Sequence, residues 1–233
     1  MKPKHILLFV IFLLLIISCD LPAVYGAPCY GTNMSSRNKF SMGAEVNVIN
    51  NRDLADDNGK ASSRQYFYKL SYGLTDWFCL DGKIGVGDIT YKPGNAEKTV
   101  YPTNFAGGYG FRIKVYKNEQ QKIDAVCGFQ HISVHPGTKM INGTTNSVIL
   151  DDWQGSALVS KNFGLLTPYA GTRLTRLDII HRISGDGRKR HKSDVDFDGV
   201  VGTDINLTKS SFINIEGRFI RESSFNFGFT HNF

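Results

Sequence analysis

The sequence predicts an all-β fold: a transmembrane, antiparallel, up-and-down β-barrel of about ten strands, with eight or twelve also compatible with the pattern. Three observations predict it. The last eleven residues, Ser223 to Phe233, place Phe225, Phe227, Phe229, His231 and Phe233 on one parity and Asn226, Gly228, Thr230 and Asn232 on the other, which is the period of a strand. Similar alternating segments recur along the chain, joined by short and long connections in turn. One continuous apolar run exists, Ile6 to Ile17, and it is too short for a membrane helix. A face of phenylalanines opposite a face of small polar groups calls for an apolar solvent on one side and water on the other.

Composition agrees, because half of each barrel strand faces water and a transmembrane barrel therefore looks like a soluble protein. Hydrophobic residues make up 41% and aromatics 12% of the chain, and the mean hydropathy is -0.21. The net charge of +6 comes without a basic helix or a basic-aromatic sheet motif, so nucleic acid is not an expected partner. The Ile6 to Ile17 run follows Lys2, Lys4 and His5 and reads as the core of a signal peptide. Cleavage after Gly26 is favoured, while Ile16-Ile17-Ser18-Cys19 offers a lipoprotein-type alternative at Cys19. The expected organisation is a signal peptide over 1–26, a short periplasmic segment over 27–37 and the barrel over 38–233. Cys29, Cys79 and Cys127 remain, an odd number that makes no disulfide framework.

In the first strand, Lys39 to Ile49, Phe40, Met42, Ala44, Val46 and Val48 oppose Lys39, Ser41, Gly43, Glu45 and Asn47. The polar run Asn50 to Ser63 is expected as an external loop. In Gln65 to Leu74, Tyr66, Tyr68, Leu70, Tyr72 and Leu74 face outward against Gln65, Lys69, Ser71 and Gly73, and Phe67 breaks the rule. Thr75-Asp76 turns the chain into a third strand, with Phe78, Leu80, Ile84 and Val86 opposite Trp77, Cys79, Asp81, Lys83 and Gly85. A second external loop is expected over Ile89 to Thr103. Asn104 to Tyr116 then sets Phe105, Tyr109, Phe111, Ile113 and Val115 against Gly108, Gly110, Arg112 and Lys114. Lys122 to Val134 returns with Ile123, Ala125, Cys127 and Phe129 outward and Asp124 inward.

A third external loop is expected over His135 to Leu150, followed by a strand from Asp151 to Phe163. Leu166 to Ile180 reads as a strand of undecided parity, since Pro168 interrupts it and Arg173 and Arg176 fall on opposite faces. A basic loop, Arg182 to Ser193, leads to Val195 to Leu207, where Asp196, Asp198, Asp204 and Asn206 alternate with apolar residues. Ser211 to Arg221 opposes Ile213, Ile215 and Phe219 to Asn214, Glu216 and Arg218. The inward charged set is thus Lys39, Glu45, Lys69, Asp81, Lys83, Arg112, Lys114, Asp124, Asp204, Glu216 and Arg218. Both signs are present, and side chains nearly fill a barrel of this size, so a salt-bridged plug is expected rather than a wide pore.

The final strand, apolar on one face and ending on an aromatic, resembles the closing strand of bacterial outer-membrane β-barrels, as Tyr72 to Leu80 (YGLTDWFCL) resembles their strand-turn-strand phrase. That resemblance implies an outer-membrane location, short periplasmic turns and long external loops. It also implies that Phe225, Phe227, Phe229 and Phe233 form part of the signal read by the barrel-assembly machinery, and that membrane lipid and lipopolysaccharide are partners. The expected role is structural or a narrow porin-like conduit, without catalysis, cofactor or metal.

Two further patterns bear on function. His131-Ile132-Ser133, outward at the external end of its strand, resembles the His-x-Ser of outer-membrane lipid A deacylases, in which His activates Ser for attack on an ester. Asp151 or Asp152 would then have to orient the imidazole, because no Glu follows until Glu216. The alternative function is therefore a lipid A ester hydrolase using His131, Ser133 and Asp151, and the ordinary role of these residues is in a polar headgroup belt. Asp178 with His181, and Asp151-Asp152, lie at the rim level where omptin proteases carry acids and His, but no Asp-x-His pair is present. Asp194-x-Asp196-x-Asp198-Gly199 matches half of a calcium loop, whose closing acid is replaced by Ile205. The run Arg188 to Lys192 is suited to lipopolysaccharide phosphates or to a solvated loop.

Overall fold

The computed structural model describes residues 31–54, 59–94, 97–184, 187–192 and 195–233. The signal peptide, the cleavage site after Gly26, Cys19, Cys29 and Asp194 lie outside the described residues. The strands are β1 (Phe40–Asp53), β2 (Lys60–Gly73), β3 (Phe78–Lys92), β4 (Thr99–Asn118), β5 (Ile123–Val134), β6 (Lys139–Ile141), β7 (Thr144–Lys161), β8 (Leu166–Ile183), β9 (Gly187–Lys192), β10 (Asp196–Asn206), β11 (Ser211–Phe219) and β12 (Glu222–Asn232). All pairings between them are antiparallel.

These twelve strands build a ring of ten. β5 and β6 lie end to end along one edge of β7, through Val134↔Leu150 and then Lys139↔Asn146. β9 and β10 do the same along β8, through Lys192↔Asp178 and then Asp196↔Thr175. The ring closes where β12 pairs with β1 from Ser41↔Asn232 to Arg52↔Glu222. Closure leaves the ten-membered ring without a sheet edge, while β6 and β9, higher on the wall, each pair along one side.

The expected long loops are a point of correction. Much of Asn50 to Ser63, Ile89 to Thr103, His135 to Leu150 and Arg182 to Ser193 continues the wall as paired strand. Strand lengths give the reason. β8 has 18 residues, which at ~3.3 Å each and a tilt near 40° stand roughly 45 Å tall, against an apolar band of about 25 Å in barrels of this kind. β11 has 9 residues and on the same estimate spans roughly 23 Å. The wall from β3 to β9 therefore rises well past any apolar band, and its upper part is polar because it stands in water. Polarity marked the end of the band, not the end of the strand.

Alternation sorts side chains as expected along most of the wall. Outward and exposed are Met42, Val46, Tyr68, Leu70, Leu80, Ile84, Val86, Phe105, Leu174, Phe197, Phe227 and Phe229. They run on from strand to strand: Phe227 pairs with Val46, Val46 with Tyr66, Tyr66 with Val86 and Val86 with Phe105. Trp77, Tyr116, Phe163 and Phe233 form an aromatic ring at the end carrying the four short turns, and Tyr109 and Trp153 stand toward the other end. Inward positions on the same strands hold buried Ser41, Glu45, Asn47, Lys69, Asp81 and Lys83. This is a soluble protein's pattern turned inside out.

Two irregularities shape the interior. A bulge lets β1 carry one extra residue, Asn50, between the Ile49↔Ser224 and Asn51↔Ser223 pairs, so Arg52 rather than Asn51 points inward and is fully buried. At the short-turn end, Gly31 to Ser35 do not trail away as a free periplasmic tail but fold into the barrel mouth. Thr32 is buried and bonds Ser160 at 2.7 Å, Ser35 bonds Ser41 at 2.8 Å, and the Asn33 carbonyl accepts from Arg112 at 2.5 Å. Gly73 permits that entry, because a Cβ there would stand 2.1 Å from the Ser36 carbonyl oxygen.

Ile84 lies mid-strand on the outward face and is 61% exposed. Replacing it by Arg should cost about 2–4 kcal/mol of folding stability in phospholipid vesicles if the site lies at the bilayer midplane. Reversible urea unfolding of the reconstituted barrel reads this directly.

Candidate functional site

The interior is built from ion pairs at mid-height and an apolar core above them. At mid-height Arg112 donates from Nε and Nη2 to Asp81 at 2.9 and 2.8 Å, and Ser71 donates to the same carboxylate at 2.5 Å. Lys83 donates to Glu45 at 2.5 Å while its ammonium lies 5.2 Å from the centre of the Phe67 ring. Phe67 breaks the alternation because it is the inward aromatic beneath that cation. Arg218 pairs with Glu216 at 2.8 Å, and Tyr169 donates to Glu216 at 2.8 Å. Asn214 donates to Asp204 at 2.6 Å.

Higher up, Glu222 binds Arg52 at 2.6 Å and Arg173 at 3.1 Å, with Arg218 at 3.7 Å, and Arg173 also holds Asp198 at 2.7 Å. All five of these groups are fully or almost fully buried. Asp152 accepts from Gln154 and, at 2.7 Å, from Thr175. Beside this network, toward the taller part of the wall, Ile49, Phe67, Ile89, Tyr91, Tyr101 and Leu177, with their apolar neighbours, make one continuous core.

Eight of the eleven inward charged residues named from the sequence, Glu45, Lys69, Asp81, Lys83, Arg112, Asp204, Glu216 and Arg218, are buried on the inward face of β1–β4, β10 and β11. Lys114 and Asp124 lie toward the short-turn mouth and pair at 3.0 Å, partly exposed. Lys39 is a correction: it precedes β1 and is exposed, because Asn38 turns left-handed (φ 57°) and β1 pairing begins beyond it. Arg52, Asp152, Arg173 and Glu222 were missed, while Asp198 stands on the polar parity read for its strand. Arg52 lies beyond a bulge that shifts its parity, Glu222 fell between the bounds of the last two strands, and Pro168 obscured the parity of Arg173. Asp196 and Asp198, the remaining described acids of the calcium-like pattern, are engaged by Arg52 and Arg173.

The second assembly lies on the outside, near the tall end of the wall. Tyr109, His131, Trp153 and Arg176 are cross-strand neighbours in one row, and Ser133, Asp151, Asp178 and Lys192 in the next. Inward Ile132 and Val134 are fully buried on either side of Ser133. Ser133 donates to Asp151 at 2.5 Å and lies 2.9 Å from His135 Nε2. His131 stacks on Trp153 with ring centres 3.9 Å apart, and its Nε2 is 3.7 Å from Asp151 without a hydrogen bond. The structure thus brings Ser133 and Asp151 together and puts His135, which the sequence reading passed over, where His131 was expected. His135 lies past the end of β5, so its parity carried no signal. Asp178 and His181 point to opposite faces: Asp178 is held by Arg176 and Arg190 outside, and His181 lies 3.3 Å from Tyr101 inside.

No protein-family model and no curated protein matches the chain. In structure it is similar to the translocator domain of the autotransporter NalP from Neisseria meningitidis, with a TM-score of 0.44 and 11% identity over 88% of this chain and 91% of that one. It is also similar to an outer-membrane channel from Pseudomonas putida F1, with a TM-score of 0.42 and 10% identity over 89% of this chain and 99% of that one. The transport unit of the autotransporter AIDA-I from Escherichia coli gives 0.38 and 12% over 92% and 93%. At such identity, function has to be read from the chain's own side chains.

Asp81→Ala leaves Arg112 buried without its carboxylate, a change worth about 3–5 kcal/mol for a buried pair. The same truncation of the exposed Lys117, paired with Glu119 in water, should leave stability unchanged. Denaturant midpoints of the two variants in one detergent test the contrast.

Proposed function

We propose that the protein is a bacterial outer-membrane barrel with a structural role, which neither conducts nor catalyses. The outer-membrane placement is supported by the outward apolar face and its aromatic ends, since an isolated soluble barrel rarely exposes so large a contiguous apolar surface. The observation that carries the absence of conduction is the filling of the lumen at successive levels. Gly31 to Ser35 occupy one mouth, buried ion pairs occupy the middle and the Ile49 to Ile179 core occupies the tall end. An ion crossing would have to break charge pairs in a low-dielectric interior, where separating them is costly.

A second reading, hydrolysis of an ester of lipid A, is favoured by one arrangement: Ser133 lies between the Asp151 carboxylate and His135 Nε2 on the lipid-facing side. A nucleophile needs a base within such reach. Against it, Ser133 donates to the acid directly and no His bridges the two, so the hydroxyl proton is held by Asp151 rather than by an imidazole base.

Reconstituted in planar bilayers, the purified protein should give no conductance steps. Incubated with lipid A, it should leave every acyl chain in place by mass spectrometry. Regular conductance steps would overturn the closed lumen, and loss of an ester-linked chain that disappears in Ser133→Ala would replace the structural role by the hydrolase.

A further inference from the structure

We propose that the outward face of β8 and β9 is a binding site for the phosphates of a lipid headgroup, an inference that rests on the membrane placement above. The basic run expected as a loop is a strand, and strand alternation divides it. Arg188, Arg190 and Lys192 pair with Arg182, Ile180 and Asp178 and share their outward face, whereas Lys189 and His191 pair with the inward His181 and Ile179. Arg176 joins the same face two residues before Asp178. Among the described residues, five cations thus share a surface with two carboxylates, Asp151 and Asp178.

That excess is not balanced within the described residues. Asp178 is fully buried beneath Arg176 and Arg190, whose side chains remain 42% and 45% exposed. Arg182 and Arg188 stand directly opposite each other across the ladder, a like-charge pair that destabilises a sheet unless an anion lies between. Beside them opens a cleft of about 620 Å³ lined by Thr138, Thr145, Ser147, Arg182 and Ser184, whose hydroxyls add donors to the guanidinium. Guanidinium groups with hydroxyl donors suit a phosphate, which takes charge-assisted, two-pronged bonds from Arg.

Level decides which phosphate. Arg176 is the cross-strand neighbour of Trp153, which with Tyr109 and His131 forms the aromatic end of the apolar face. A barrel seated in a bilayer by that face holds Arg176 and Lys192 at the headgroup phosphates and Arg182 and Arg188, six residues further up β8, roughly 15 Å above them, where a large phosphorylated headgroup extends. The ligand is therefore a phosphorylated membrane lipid rather than a free anion.

The test uses the full barrel in detergent, titrated with diphosphorylated lipid A and with the same lipid after enzymatic dephosphorylation. The wild type should bind the phosphorylated form about tenfold or more tightly, with the preference falling as salt rises. The triple variant Arg182→Ala/Arg188→Ala/Lys192→Ala, which leaves the Arg176 and Arg190 contacts to Asp178 in place, should lose most of that preference while keeping the migration of the folded, unboiled form on a gel. Equal affinity of the wild type for the two lipids, or an unchanged preference in the variant, would refute the site. Displacement of the lipid by millimolar inorganic phosphate would assign it to a free anion instead. Flotation with vesicles reads the membrane placement separately: a barrel that prefers the phosphorylated lipid but stays in the aqueous fraction has lost the placement and, with it, the headgroup assignment.

Discussion

Pairing of β12 with β1 is the constraint on which everything else in this molecule depends. With the outward side chains committed to an apolar surrounding, any backbone group left unpaired on a sheet edge would have no water to bind and would cost several kcal/mol. Closure removes the edge, and it does so through the stretch richest in phenylalanine, so the last strand both completes the hydrogen-bond ring and contributes Phe225, Phe227 and Phe229 to its outer face. The backbone bond from Phe233 to Phe40 at 2.9 Å locks the final residue to the first strand.

Closing ten strands fixes a narrow interior, and a narrow interior has to be filled. Most inward positions at mid-height are polar, and burying them demands partners for each charge. The chain meets that demand by interleaving signs, both between neighbouring strands, Arg52 of β1 with Glu222 of β12 and Arg173 of β8 with Asp198 of β10, and between non-neighbouring ones, Glu45 of β1 with Lys83 of β3 and Arg173 with Glu222. Such pairs span the lumen, so they brace the wall from within while closing the path through it. Buried pairs of this kind add little net stability over apolar packing, but breaking one is costly. They fix one arrangement of the wall, and the same requirement that stabilises the barrel excludes a pore.

The strand count, the inward-outward sorting of β1–β5 and β10–β12 and most of the mid-barrel charges were legible in the sequence, because side-chain direction in a strand follows parity and nothing else. What parity could not carry was lost. The Asn50 bulge moved Arg52 to the inner face, Pro168 hid the sense of Arg173, and the polar upper wall looked like loop because a wall standing in water needs no apolar face. For the same reason Arg188, Arg190 and Lys192 read as a charged run, when on a strand they form one row with Arg182 across the ladder. His135 beside Ser133, and Gly31 to Ser35 inside the mouth, follow from chain paths outside regular strand, where sequence period has no meaning.

The central claim is a wall apolar outside and filled inside. The most direct measurement is single-cysteine reactivity along positions 225–230, in vesicles, on a background with Cys29, Cys79 and Cys127 replaced by serine. The account predicts that cysteines at 225, 227 and 229 react with a membrane-soluble maleimide and resist a water-soluble thiol reagent, while those at 226, 228 and 230 resist both. Water-soluble reagent reaching 226, 228 and 230 would mean an open aqueous lumen, and its reaching 225, 227 and 229 would mean that the phenylalanine face is not in lipid; either result contradicts the account.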